Sequence, residues 1–129
     1  MIPTRGLNHL TLRVADLERS IRFYQDLLGF DVRWRSDSSA YLCSGTLWLA
    51  LLQRPVQPSS EQLAGMDHFA LTVAEADFDA AVDDLNRHGV TIVKGPMQRG
   101  IGHSVYFSDP DGVVVELHTS GLDARMTAW

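Results

Sequence analysis

The sequence predicts an α+β fold made of two βαβββ modules whose curved mixed sheets pair into a cleft. Residues 6–17, GLNHLTLRVADL, are matched by residues 65–76, GMDHFALTVAEA, at an offset of 59 positions. Each copy is followed by an amphipathic helical pattern that ends at a glycine, Gly29 or Gly89. Short strand-like stretches follow each helix, so the repeated unit is a strand, a helix and three strands.

The first module covers about residues 6–53. Alternation in HLTLRV places His9, Thr11 and Arg13 on one side of the opening strand. Asp16 then provides the kind of side chain that caps a helix N-terminus. The remaining strands of this module are predicted at residues 31–35, 40–43 and 47–52.

The second module covers about residues 65–120, after a proline- and serine-containing linker at about 54–64. Its predicted strands are 67–73, 91–94, 104–108 and 113–118, with a helix whose buried stripe begins at Phe78. The glycine-rich residues 95–103 are predicted to form a mobile loop over the cleft. A C-terminal tail at 121–129 completes one domain spanning residues 1–129.

Composition narrows the possible partners. The 129-residue chain is 45% apolar, which is enough for a real core, and its net charge of −5 with scattered Lys and Arg does not favour nucleic-acid binding. It contains no apolar run of about 18 residues and no signal-peptide core, so we expect a cytoplasmic protein without a membrane partner. Cys43 is the only cysteine, which excludes an internal disulfide.

The repeated histidines predict a metal site in the cleft. His9 and His68 occupy the same position in the two modules, and Glu116 interrupts the apolar run VVVELH. One such histidine alone is more often a hydrogen-bonded core residue, but a buried carboxylate needs a partner or a metal. Two imidazoles and one carboxylate suit Mn²⁺, Fe²⁺ or Zn²⁺ and leave open positions for substrate. The counterpart of Glu116 in the first module, Leu49 or Ala50, cannot ligate.

Two further histidines leave alternatives open. His118 shares a strand face with Glu116 and is a competing candidate ligand, although it lies at the strand end. His103 lies in the predicted loop, where it either contacts substrate or has no role.

The repeat, the stretch HLTLRVADLERSIRFYQDLLGF and the ending YFSDPDGVVVEL resemble the vicinal-oxygen-chelate superfamily. This superfamily includes glyoxalase I, extradiol dioxygenases, bleomycin-binding proteins and fosfomycin-resistance enzymes. The resemblance implies paired βαβββ modules and a homodimer in which two subunits share each metal site.

Within that superfamily, NHLTL, AYLCSGTLWLAL and ELHTSGLDAR resemble the manganese-dependent fosfomycin-resistance glutathione transferases. This resemblance implies His9, His68 and Glu116 as metal ligands and Thr11 as the residue that contacts the opening epoxide oxygen. It implies substrate contacts from Tyr41, Trp48, Lys94, Ser104, Tyr106 and Arg125. The implied reaction adds a thiol, with glutathione favoured, to fosfomycin or a related small anionic substrate. The implied metal is manganese, with iron, zinc or nickel as alternatives.

Departures from that subgroup keep other reactions open. Ile101 stands where a potassium-binding loop would carry an acid, so potassium activation is not favoured. The length of that loop is similar to the fosfomycin epoxide hydrolases, but SSAYLCSGTLW lacks their catalytic glutamate. Glyoxalase-type isomerisation usually requires a fourth, carboxylate ligand, and Leu49 or Ala50 argues against one here. An extradiol dioxygenase requires Fe²⁺ and acid–base histidines, for which His103 and His118 are the candidates. Non-catalytic drug binding would leave Glu116 unexplained.

Overall fold

The computed structural model describes Met1, residues 5–55 and residues 66–127, excluding the side chains of Arg125 and Thr127. The chain divides into two compact units, Met1–Glu61 and Gln62–Trp129. Most of the predicted linker and the last two residues of the predicted tail lie outside the described residues.

The first unit is a four-stranded mixed sheet with one helical face. Its elements are β1 (Leu10–Val14), α1 (Leu17–Arg22), a π-helical segment (Phe23–Leu27), β2 (Asp31–Arg35), β3 (Ser39–Ser44) and β4 (Leu47–Gln53). The strand order is β1-β4-β3-β2, in which β1 runs parallel to β4 and the other pairs are antiparallel.

Local sequence explains how this unit forms. The Asp16 side chain accepts a hydrogen bond from the backbone N–H of Arg19 at 3.1 Å, as predicted for an N-cap. Gly29 ends the helical stretch with φ of +74°, a conformation that side chains disfavour. In β1 the predicted alternation holds, because Leu12 and Val14 are buried whereas Thr11 and Arg13 are exposed. The buried residues on the helical side of the sheet include Leu17, Ile21, Tyr24, Phe30, Leu42, Leu49 and Leu51.

An exposed ion pair joins the helix of this unit to its edge strand. The Arg35 guanidinium contacts the Glu18 carboxylate. Hydrogen bonding from Arg35 holds the pKa of Glu18 below its ordinary value and raises the pKa of Arg35. Both side chains are substantially exposed, so the pair orients the two elements more than it stabilises them.

The second unit repeats the plan of the first. Its elements are β5 (Phe69–Thr72), a 3₁₀ turn (Glu75–Asp77), α2 (Phe78–Arg87), β6 (Ile92–Arg99), β7 (Gly102–Ser108), β8 (Val114–His118) and α3 (Leu122–Thr127). The strand order is β5-β8-β7-β6, with β5 parallel to β8. Its buried apolar residues include Phe78, Leu85, Val105, Phe107, Val115 and Leu117. The predicted α+β class and the repeated βαβββ plan are therefore confirmed.

The turn between β7 and β8 follows its sequence. Asp109 accepts hydrogen bonds on Oδ1 from the backbone N–H groups of Asp111 at 2.8 Å and Val113 at 2.9 Å. Gly112 takes a φ of +86°. This is the aspartate-anchored turn that DPDG predicts.

The predicted mobile loop at 95–103 is wrong. These residues form a β-hairpin, since β6 continues to Arg99 and pairs with β7 through Met97↔Ser104 and Gln98↔His103. The pairing shifts register near Gly95, where φ is +84° and an added Cβ would lie 2.9 Å from the Ser104 carbonyl oxygen. The Gly-Pro pair is typical of a loop, but here the strand only bulges at this pair and then pairs with β7 again.

The described residues contain a further helix, α3, within the predicted tail. None of their helices is long and apolar enough to cross a membrane.

Candidate metal centre

His9 immediately precedes β1 in the first unit. Its ring is exposed, and Nδ1 lies 2.7 Å from the side-chain oxygen of Asn8. The ring also packs against Trp48, with 4.4 Å between centroids. The amide oxygen can only accept a hydrogen bond, so Nδ1 must carry the proton of the ring. The lone pair on Nε2 is then available to a ligand.

His68 is oriented in the same way in the second unit. Its Nδ1 lies 2.7 Å from Asp67 Oδ2. The Asp67 carboxylate therefore accepts the Nδ1 proton here, as the amide oxygen does beside His9. Its Nε2 lies 3.0 Å from Oε1 of Glu116. The residue before each histidine thus fixes which ring nitrogen is free, which is how carboxylates and carbonyls prepare histidines for metals.

Strand register explains why only the second unit has a carboxylate here. Ala70, two residues after His68, pairs with Glu116 on β8. Thr11, two residues after His9, pairs with Ala50 on β4. Of the two predicted counterparts of Glu116, Ala50 is therefore the equivalent position.

A buried hydrogen-bond network holds Glu116 from behind. Glu116 as a whole residue is 7% exposed, and its Oε2 accepts a hydrogen bond of 2.7 Å from the Ser104 hydroxyl. That oxygen of Ser104 lies 2.6 Å from His118 Nδ1, while His118 Nε2 lies 2.8 Å from the Ser120 hydroxyl. Because Ser104 gives its single proton to Glu116, His118 must donate to Ser104 through Nδ1.

This network bears on two of the predicted site residues. Both ring nitrogens of His118 have hydrogen-bonding partners, an arrangement that suits a positioning residue rather than a competing ligand. Ser104 is fully buried with its hydroxyl directed to Glu116. Its contact with a phosphonate stays a prediction.

His103 lies in β7, so its predicted place in a loop is wrong. Its Nδ1 lies 2.6 Å from Glu75 Oε1, and its backbone N–H donates to Thr119 Oγ1 at 2.9 Å. Hydrogen bonding from Thr119, and after it from His103, holds the pKa of the Glu75 carboxyl below its ordinary value. These residues fasten the start of the helical stretch to the sheet.

A cavity of about 260 Å³ opens beside Glu116 in the second unit. The residues that line it are His68, Ala70, Arg99, Tyr106, Glu116 and His118. Tyr106 and Ser104 share the sheet face of Glu116, because Tyr106 pairs with Glu116 and Ser104 pairs with His118. Lys94 Nζ lies 5.9 Å from the centre of the Tyr106 ring. Sequence reasoning missed Arg99, which it had placed in the loop.

The predicted cleft aromatics form a ladder on one sheet face of the first unit. Ring centroids are separated by 4.8 Å between Trp34 and Tyr41 and by 5.3 Å between Tyr41 and Trp48, and the ladder continues to His9. Thr11 is exposed on the same face. Trp34, which is 48% exposed, was not predicted, although its aromatic character in a polar strand is a visible signal.

The donor atoms present in the two units, imidazole nitrogens and a carboxylate oxygen, are of the kinds that bind a divalent metal. Within either unit, the described residues contain no group of three His, Cys, Asp or Glu side chains arranged as ligands. The second unit nevertheless brings His68 and Glu116 to 3.0 Å, close to the roughly 3.0–3.4 Å that separates two donors each about 2.1 Å from one ion. His9 in a metal site, and Arg125 as a substrate contact, stay predictions; the side chain of Arg125 lies outside the described residues.

A family model for the Glyoxalase/Bleomycin resistance protein/Dioxygenase superfamily matches residues 6–117. The chain belongs to this superfamily. It is 42% identical over 125 residues to the glutathione transferase FosA of Serratia marcescens, covering 96% of this chain and 87% of the relative. It is 38% identical over 127 residues to the metallothiol transferase FosB of Staphylococcus haemolyticus, covering 97% and 91%.

Solved structures agree with these relatives. FosX of Listeria monocytogenes, a fosfomycin resistance protein solved with Mn(II) and a sulfate ion, superposes with a TM-score of 0.80 at 26% identity, covering 98% of each chain. The resemblance to fosfomycin-resistance thiol transferases predicted from the sequence is therefore confirmed, and so is the expectation of an enzyme of that class.

Proposed function

We propose that this protein is a metal-dependent thiol transferase of the fosfomycin-resistance type. It joins a thiol, with glutathione favoured, to the epoxide of fosfomycin or a related small anionic epoxide. The observation that carries the proposal is the convergence of His68 Nε2 and Glu116 Oε1 to 3.0 Å beside a cavity that also holds an arginine. The thiol transferases among the relatives support the reaction class.

His68, Glu116 and His9 would hold the metal, with Mn²⁺ favoured. The manganese-containing relative supports that preference. A bound divalent ion would polarise the epoxide oxygen and stabilise the negative charge that develops as the ring opens. Potassium is not part of the proposal, because Ile101 occupies the turn between β6 and β7.

The reaction then needs little acid–base chemistry from the chain. The thiol sulfur forms a bond to an epoxide carbon while the carbon–oxygen bond breaks, and the thiol proton ends on the oxygen released. A free thiol has a pKa of about 8.5, so a fraction of it is already thiolate at neutral pH, whereas water as nucleophile would need a general base. Strands β3 and β4, which carry Tyr41 and Trp48, contain no carboxylate to act as that base.

The remaining predicted residues have roles on either side of this step. Thr11, exposed on the face of its sheet, would donate its hydroxyl to the oxygen that develops charge. Lys94, Tyr106 and Arg125 would hold the anionic group, and Ser104 would join them by turning towards it the hydroxyl that it gives to Glu116 in this structure. Tyr41 and Trp48 would form the cleft wall. Contacts with the phosphonate, which does not react, would thus position the epoxide for attack.

We also propose a homodimer with metal sites shared between subunits. The second unit supplies His68 and Glu116, and the third proposed ligand, His9, belongs to a first unit, either of the same chain or of a partner. Sedimentation of metal-loaded protein at micromolar concentration should give the mass of two chains. A monomer that carries a full complement of metal would contradict this arrangement.

The function is tested by incubating manganese-loaded protein with fosfomycin and glutathione, cysteine or no thiol. Phosphorus NMR and mass spectrometry should detect a thiol adduct that requires both metal and thiol. A His68→Ala, Glu116→Gln double variant serves as the inactive control. Consumption of fosfomycin without thiol would instead indicate hydrolysis, and no consumption under any condition would overturn the proposal.

A further inference from the structure

Arg99 is a cation inside the cavity of the second unit. It lies at the end of β6, opposite Gly102, and it is half-buried. Its side chain lines the cavity together with His68 and Glu116. Among the residues that the structure describes, no carboxylate forms an ion pair with its guanidinium.

The nearby carboxylate does not form an ion pair with this arginine. One oxygen of Glu116 accepts a hydrogen bond from Ser104, and the other faces His68 at 3.0 Å. Arg99 instead faces Tyr106, with 6.0 Å between its Cζ atom and the ring centre. Lys94 approaches the same ring at 5.9 Å, so two cations converge on one largely buried aromatic side chain.

The charge balance of the cavity therefore favours an anion. A half-buried guanidinium that has no carboxylate partner among the described residues retains donors that a ligand or water can satisfy. A divalent ion on His68 and Glu116 would add positive charge beside it. The cavity, of about 260 Å³, suits a small anion more than a drug-sized ligand.

We propose that Arg99 is a further substrate-binding residue whose guanidinium binds the tetrahedral oxyanion of the substrate through paired N–H donors. This inference rests on the proposed function, and it adds Arg99 to the phosphonate-binding residues. The planar fork of arginine matches two oxygens of such a group, whereas lysine offers a single point charge. Arg99 would therefore set the affinity for the anionic end of the substrate.

The test measures binding of inorganic phosphate to manganese-loaded protein by calorimetry. Arg99→Gln should weaken phosphate binding by about tenfold or more, and Arg99→Lys should fall between this variant and the unmodified protein. Arg22→Gln, which removes an exposed arginine from α1, is the charge-matched control and should leave binding within about twofold. Thermal unfolding and metal content should be unchanged in each variant.

Kinetics with fosfomycin provide a second measurement. Arg99→Gln should raise KM with little change in kcat, since the phosphonate is held equally before and during ring opening. An unchanged phosphate Kd in Arg99→Gln, or an equal loss in Arg22→Gln, would overturn the role of Arg99. If phosphate binding depends on Arg99 but the unmodified protein turns over no fosfomycin, the anion-binding role of Arg99 is supported and the proposed function is wrong.

Discussion

The Nε2 atom of His68 lies 3.0 Å from Oε1 of Glu116, while the other nitrogen of the ring is held by Asp67 at 2.7 Å. If Nδ1 donates its proton to Asp67, the Nε2 lone pair faces a carboxylate oxygen, and the two repel each other unless a positive charge lies between them. A proton or a metal ion supplies that charge. The repeated orientation of His9 by Asn8 favours the metal, because both histidines then present the same nitrogen.

Metal affinity should depend on the charge of Glu116. We expect Glu116→Gln to weaken Mn²⁺ binding by at least about tenfold, because an anionic oxygen supplies much of the attraction to a hard cation. Competition with a chelator, followed by electron paramagnetic resonance, measures the change. Asp83→Asn removes an exposed carboxylate from α2 and should have no effect. Full metal content in a His9→Ala, His68→Ala double variant would refute the assignment.

The residues that orient the histidines should matter almost as much as the ligands. Asp67→Ala and Asn8→Ala are each expected to reduce Mn²⁺ affinity by about 10- to 100-fold, because the imidazole loses its fixed orientation. Asp67→Asn should retain part of the affinity, since an amide oxygen can still accept from Nδ1. Equal affinity in the alanine variants and the unmodified protein would contradict this role.

The network behind Glu116 should stabilise the second unit. Ser104→Ala leaves Glu116 Oε2 and His118 Nδ1 without their shared partner, at a cost of about 1–3 kcal/mol in the free energy of unfolding. Urea denaturation of the metal-free protein measures this directly. Ser108→Ala, at a half-buried position on the same strand, should change the free energy by much less. A similar loss in both variants would mean that the network adds little.

The contacts of Glu75 predict a dependence on acid. Its pKa is lowered in the folded protein, mainly by hydrogen bonding from Thr119, so its contribution is present above the ordinary pKa of 4.5. That contribution falls as the pH drops below this value towards the lowered pKa. Glu75→Gln should therefore lose less stability than the unmodified protein between pH 5 and about pH 3, whereas Asp83→Asn should follow the unmodified protein. Coincident thermal-unfolding curves for Glu75→Gln and the unmodified protein across this range would count against it.

Thr11 should affect turnover more than substrate binding. Thr11→Val keeps the shape of an exposed side chain in β1 but removes the hydroxyl that would contact the developing alkoxide. We expect kcat to fall about tenfold or more with KM nearly unchanged. Thr72→Val, at an exposed position in β5, is a matched control. A rise in KM alone would move Thr11 from the reacting oxygen to ground-state binding.

Local sequence patterns were sufficient to predict much of this protein. Asp16, Gly29 and the DPDG turn act on backbone groups a few residues away, so their roles depend on the chain nearby. The alternation in β1 likewise assigns Thr11 and Leu12 to opposite faces, because successive strand residues point in opposite directions. The internal repeat then predicts the second unit from the first, including a histidine at the same position.

Only the tertiary structure decided which side chains meet across strands. Residues 95–103 resume pairing after a bulge at Gly95, and that pairing carries Arg99 into the cavity with Glu116. The contacts of His118 with Ser104 and Ser120 likewise depend on the alignment of β7 with β8. Strand register is set by hydrogen bonds and packing between residues distant in sequence, and a bulge changes which face each later residue occupies. Periodicity within one strand contains no information about that choice.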